Sequence, residues 1–170
     1  MESYDAILQP SGLMRKLLVV LLLAASAAVA EATSLTISSG QYGLRAGQPR
    51  EVAIQVELRP PLQWGPLRPV VGALAGSSGG GYAFTGFVLD LPLPGGFHAS
   101  PGFAPGIMFS QGRRDLGSAI EFRSSIALSR DVVPPVRLAA SFSHLSNGGL
   151  SHHNPGVETI LLGFELAPLR

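Results

Sequence analysis

Between Glu51 and Leu58 the chain alternates without interruption. Val52, Ile54, Val56 and Leu58 fall on one side, and Glu51, Ala53, Gln55 and Glu57 on the other. A period of two is the signature of a strand with two unlike faces. It recurs further on, where Ile120, Phe122, Ile126 and Leu128 oppose Glu121, Arg123, Ser125 and Ser129. Gly, Pro and Asn punctuate the chain into eight such segments, at 35–43, 50–58, 67–76, 81–91, 97–110, 117–130, 136–146 and 157–167. Segments 35–43 and 81–91 alternate poorly, and their faces are left unassigned. Charged and small polar groups on one face suit the filled interior of a small barrel, with the apolar face turned to lipid. An even number of strands about 9–11 residues long fits an eight-stranded antiparallel transmembrane β-barrel. A secreted β-sandwich shows the same period, so the pattern alone leaves it open. Trp64 and Tyr82, near strand ends, suit either an interfacial aromatic girdle or ordinary packing.

Composition narrows the class. Only 14% of the 170 residues are charged, and 12 Lys+Arg against 11 Asp+Glu give a net charge of +1, so charge offers no footprint for nucleic acid. Twenty-one Gly and 14 Pro work against long helices. No apolar run approaches the ~18–20 residues of a spanning helix. The absence of cysteine excludes disulfides and thiolate metal sites.

At the N-terminus, Arg15 and Lys16 precede the apolar stretch 17–30, which ends in Ala28-Val29-Ala30. Charge, short apolar core and small-x-small end read as a cleavable secretory signal within residues 1–30. Residues 1–13 carry Glu2 and Asp5 but no basic residue, so the head of the signal is expected at Met14. Residues 31–170 then form one barrel domain.

The chemistry concentrates between Ser141 and Phe164. In segment 136–146 the even positions include Leu138, Phe142, His144 and Ser146, and in 157–167 they include Glu158, Ile160, Leu162 and Phe164. His144, Ser146 and Glu158 therefore share the apolar, outward side. At i and i+2, imidazole and hydroxyl sit about 6.5–7 Å apart at Cα. Polar groups on a lipid-facing wall are costly, less so near the interface. One reading is a Ser-His-Glu triad with Ser146 as nucleophile, His144 as general base and then acid, and Glu158 as the group orienting the imidazole. Gly148, Gly149 and Asn154 in the connecting loop are candidate oxyanion donors. The plainer reading is that these residues mark where strands leave the bilayer.

This segment resembles the signature of the outer-membrane lipid A 3-O-deacylase (PagL-type) family. His144, Ser146 and Asn147 match an H-x-S-N core, Asn154-Pro155-Gly156 matches N-P-G, and Glu158 stands fourteen residues after the histidine. The stretches 115–118 (DLGS) and 121–124 (EFRS) are also similar, while the likeness thins from Ser34 to Gly81. The resemblance implies an eight-stranded barrel in the bacterial outer membrane that hydrolyses the ester-linked 3-O-acyl chain of lipid A without metal or cofactor. It carries the triad to His144, Ser146 and Glu158, and the oxyanion donors to Asn154 and, less directly, Gly148 and Gly149. Two departures stand out. The chain ends on Arg170 rather than an aromatic residue, and residues 1–13 match nothing in the family.

With both termini periplasmic, loop 146–157 is extracellular and the triad meets the outer leaflet, where lipopolysaccharide lies. Arg113 and Arg114 fall in another extracellular loop, as candidate partners for lipid A phosphates or as a solvated loop tip. Adjacent His152 and His153 point to opposite faces of an extended chain, which disfavours a shared metal. The expected partners are lipid A and the membrane, not nucleic acid, with a homodimer an open alternative. A non-catalytic structural or lipid-binding barrel is the rival function.

Overall fold

The computed structural model describes residues 34–45, 47–110, 112 and 114–167. The signal segment, Arg113 and the last three residues lie outside them. Nine strands are present: β1 (Ser34–Tyr42), β2 (Glu51–Arg59), β3 (Leu67–Gly76), β4 (Gly81–Leu89), β5 (Leu91–Leu93), β6 (Phe97–Ser110), β7 (Ile120–Val133), β8 (Val136–Ser146) and β9 (Val157–Leu166). Every pairing is antiparallel; β1 pairs with both β2 and β9, and β4 pairs with β6, which closes the sheet. β5 continues the line of β4 after a break at Asp90, so the barrel wall has eight strands.

The expected segments match within a few residues, with two informative shifts. The strand expected at 117–130 starts at Ile120 and runs to Val133. Before it, Asp115 Oδ1 accepts the Gly117 N–H and Ser118 Oγ accepts that of Ile120, so local side chains take the backbone donors that a ladder would use. The segment expected at 81–91 breaks at Asp90, whose carboxylate turns to Arg68 and His98 while its N–H bonds the Pro66 carbonyl.

The outer wall is apolar. Ile37, Val52, Phe103, Ile126, Leu138, Phe142, Ile160, Leu162 and Phe164 are all exposed. The interior holds the charges: Arg123 reaches Glu57, Glu165 lies between Arg59 and Arg137, and Arg114 pairs with Glu51. An apolar exterior around an interior of polar and largely paired charged groups is the arrangement of a membrane-spanning barrel and the reverse of a sandwich core. Faces unassigned from sequence are now clear. In β1, Thr36 and Ser38 are buried and Ile37 is exposed; in β4, Tyr82, Phe84 and Val88 point inward. Tyr82 therefore packs in the lumen, stacked on Phe84, and is no girdle residue. Trp64 is exposed beside Phe87, as an interfacial aromatic would be.

The described residues of loops 43–50, 77–80, 111–119 and 147–156 gather at one end of the barrel, and the turns at 60–66, 94–96 and 134–135 at the other with both ends of the strand run. The loop end carries the candidate site.

Candidate active site

β8 and β9 are antiparallel neighbours in a register that sets His144 directly opposite Glu158. Even residues of both strands point outward, so the two side chains meet on the outer wall, and His144 Nδ1 lies 2.9 Å from Glu158 Oε1. With Nδ1–H donated to the carboxylate, Nε2 is the nitrogen left to accept a proton. Glu158 is only 12% exposed at its side chain, and its second oxygen is buried without a partner. On its other flank His144 pairs in register with Ser124 of β7.

Ser146 stands two residues beyond His144 on the same face. The register places it opposite Phe122 of β7. Its hydroxyl makes no hydrogen bond among the described residues, so the Ser–His contact is not closed here. Catalytic hydrogen bonds of this kind often tighten only around substrate.

Gly156 explains part of the N-P-G element. Its φ is +59°, and a Cβ there would lie 2.7 Å from His144 Cε1. Only glycine both takes the left-handed conformation readily and leaves the imidazole edge free.

Between Ser146 and Gly156 the organiser is Asn147, fully buried and pointing inward where Ser146 points outward. Its Nδ2 donates to the carbonyls of Leu116 (3.0 Å) and His153 (2.9 Å). Its Oδ1 accepts the Gly149 N–H at 3.0 Å, and its own backbone N–H is accepted by Asn154 Oδ1 at 3.2 Å. Of the three candidate oxyanion donors, the Gly149 N–H is therefore already committed to Asn147. The Gly148 N–H has no partner among the described residues, and Asn154, held by its Oδ1, keeps its NH2 group to donate.

Arg114 is the residue that sequence placed wrongly. It is buried, pairing with Glu51, stacking over Tyr42 and donating to the carbonyls of Tyr42 and Pro49. It turns into the barrel at the loop end and is not presented to lipid phosphates. Loop residues have no face parity, so nothing in the sequence indicated its inward direction. His153 Nε2 lies 3.2 Å from the Asp115 carbonyl, which ties loop 147–156 to loop 111–119. His98 sits at the opposite end of the barrel between Asp90 and Asp131.

Sequence reading missed Arg45. From the β1–β2 loop it reaches Glu158 Oε1 at 2.5 Å and the Pro155 carbonyl at 2.8 Å. Gln48 of the same loop donates to the Gly156 carbonyl at 2.9 Å. No periodicity or motif marks either residue.

A closed eight-stranded barrel with a histidine–carboxylate pair and a serine on its outer wall belongs to the class of barrels built to meet lipid. The comparisons identify the family within that class. The lipid A 3-O-deacylase (PagL) family matches residues 51–167, so the chain belongs to it. Among solved structures, that described as the crystal structure of the outer membrane enzyme PagL is similar, with a TM-score of 0.61 and 17% identity over 80% of this chain and 99% of that one. The crystal structure of Neisserial surface protein A (NspA) is also similar, with a TM-score of 0.56 and 12% identity over 81% of this chain and 97% of that one. At these identities the two structures speak to the fold alone. No curated protein sequence matches the chain.

Proposed function

We propose that this protein is an outer-membrane esterase that removes the 3-O-acyl chain of lipid A, with Ser146, His144 and Glu158 as a catalytic triad. The observation that carries the reading is the 2.9 Å contact between His144 and Glu158 on the outer wall, beside Ser146. A histidine and a carboxylate on a lipid-facing surface lose hydration, and a structural barrel has no need of them there.

Ser146 Oγ attacks the ester carbonyl while His144 Nε2 takes its proton. Glu158 holds the imidazole by Nδ1 and stabilises the imidazolium as it forms. The Asn154 NH2 and Gly148 N–H receive the developing oxyanion. Collapse expels the sugar hydroxyl, which regains a proton from His144. Water activated by the same histidine then releases the fatty acid from Ser146. An apolar groove of about 430 Å³, lined by Leu128, Leu138, Ala140, Leu162 and Phe164 and also by Phe97 and Arg130, lies on the same wall toward the turn end of the barrel. Membership of the family supports lipid A as substrate.

The test is mass spectrometry of lipid A from an outer-membrane host that lacks this activity. Expression of the wild-type chain removes one ester-linked 3-hydroxyacyl group, and Ser146→Ala leaves lipid A intact. Unchanged lipid A with a correctly assembled wild-type barrel would favour the non-catalytic, lipid-binding alternative.

A further inference from the structure

We infer that Arg45 is a positioning residue of this site, acting through Glu158 rather than on the substrate; the inference rests on the triad reading above. Glu158 accepts the His144 Nδ1–H with the same oxygen, Oε1, that meets Arg45 at 2.5 Å. Its Oε2 is buried with no partner. The imidazole alone therefore leaves the carboxylate free to swing about its side-chain torsions. Arg45 opposes this. Its guanidinium fork takes Glu158 with one nitrogen and the Pro155 carbonyl with another, fixing the carboxylate relative to the backbone that leads into β9. The backbone of Glu158 is held from the same side, since its carbonyl accepts the Gly43 N–H at 2.8 Å. Gln48 binds the Gly156 carbonyl and so clamps the segment that lies against the imidazole edge. The β1–β2 loop thus forms a brace behind the carboxylate.

An exposed ion pair is ordinarily weak. This one differs in having a carboxylate that is 12% exposed, although Arg45 itself is 51% exposed. Around the pair, the charged or titratable groups are His144 from β8, Glu158 from β9 and Arg45 from the β1–β2 loop, and the β7 neighbour of His144 is the uncharged Ser124. Among the described residues Arg45 is the one cation in contact with Glu158.

The experiment measures kcat and KM of the full-length barrel in mixed detergent–lipid A micelles for Arg45→Ala, Arg45→Lys, Glu158→Gln, Arg45→Ala/Glu158→Gln and Ser146→Ala. We expect Arg45→Ala to lower kcat roughly tenfold or more, as misplacing a catalytic group does, with KM little changed. Arg45→Lys, which keeps the charge but not the fork, restores only part of kcat, and the double variant is no slower than Glu158→Gln. A readout independent of turnover is the downfield proton resonance of the His144 Nδ1–H, which broadens or disappears in Arg45→Ala and returns in part in Arg45→Lys. If kcat and the resonance stay as in wild type, if KM alone rises (an arginine meeting a substrate anion), or if Arg45→Ala and Glu158→Gln simply multiply, the positioning role is overturned. If Ser146→Ala and Glu158→Gln keep full activity, the triad reading itself has failed, which is a different pattern from an inert Arg45 beside an essential Ser146.

Discussion

His144 and Glu158 face each other across the β8–β9 ladder with Nδ1 and Oε1 2.9 Å apart, fourteen residues apart in the chain and one strand apart in space. Glu158→Gln keeps the shape and a hydrogen-bonding oxygen but removes the charge that, in the proposed mechanism, stabilises the imidazolium. Turnover should fall at least tenfold while the thermal unfolding temperature stays near that of wild type, since an outward pair adds little to the barrel. Steady-state kinetics beside a heat-modifiability series on gels check both halves. Unchanged turnover with a lowered unfolding temperature would make the pair structural.

Ser146→Ala removes the proposed nucleophile, and its hydroxyl holds no other group among the described residues. Deacylation should drop on the order of 10²-fold or more, with residual activity from positioning and oxyanion binding. Adding Glu158→Gln to it should cost hardly anything more. Near wild-type acyl release from Ser146→Ala would end the triad assignment.

Gly156→Ala should cripple the proposed activity without unfolding the barrel. The new methyl would sit 2.7 Å from His144 Cε1 at a φ of +59°, so the imidazole must rotate off the Glu158 axis or the loop must shift. We expect a kcat loss comparable with that of Glu158→Gln and a KM within a few-fold of wild type. Full activity would mean that the ring tolerates displacement.

Asn147→Ala strips partners from the carbonyls of Leu116 and His153 and from the Gly149 N–H. A buried group left unsatisfied costs about 1–3 kcal/mol. Loop 147–156 should loosen, with faster proteolytic nicking there and a marked fall in kcat. The strands below should keep their heat-modifiable mobility.

Arg123→Ala gives the opposite pattern. Arg123 points into the lumen, buried on Glu57 and lying over Phe84, on the other side of the wall from His144 and Ser146. Breaking a buried pair from one side costs about 3–5 kcal/mol. The unfolding temperature should fall clearly, while specific activity of the folded fraction at low temperature stays near wild type.

What was legible in the sequence was whatever parity governs. The outward direction of His144, Ser146 and Glu158 follows from counting by twos along two strands, and the structure keeps that count. Parity failed where the lumen is not polar. In β4 the inward positions are Tyr82 and Phe84, and Phe84 fits only because Gly72 opposite has no Cβ, which would come within 2.4 Å of the ring. That exchange of volume between strands cannot be read from either strand alone. It failed again in the loops, where Arg114 turns inward and Arg45 turns to Glu158. A loop residue takes its direction from the partners it finds, and those lie on other strands.

The lumen also decides where the second reactant comes from. Glu57–Arg123 and Arg59–Glu165–Arg137 span the interior, Tyr82 and Phe84 stack in the lumen beside them, and Arg114 turns inward at the loop end. A barrel stoppered in this way is a wall rather than a conduit, and planar-bilayer recordings should find it electrically silent. The water that frees the fatty acid in the proposed reaction must then descend from the headgroup layer beside the loops. The released chain, already among its own kind, departs sideways into the leaflet.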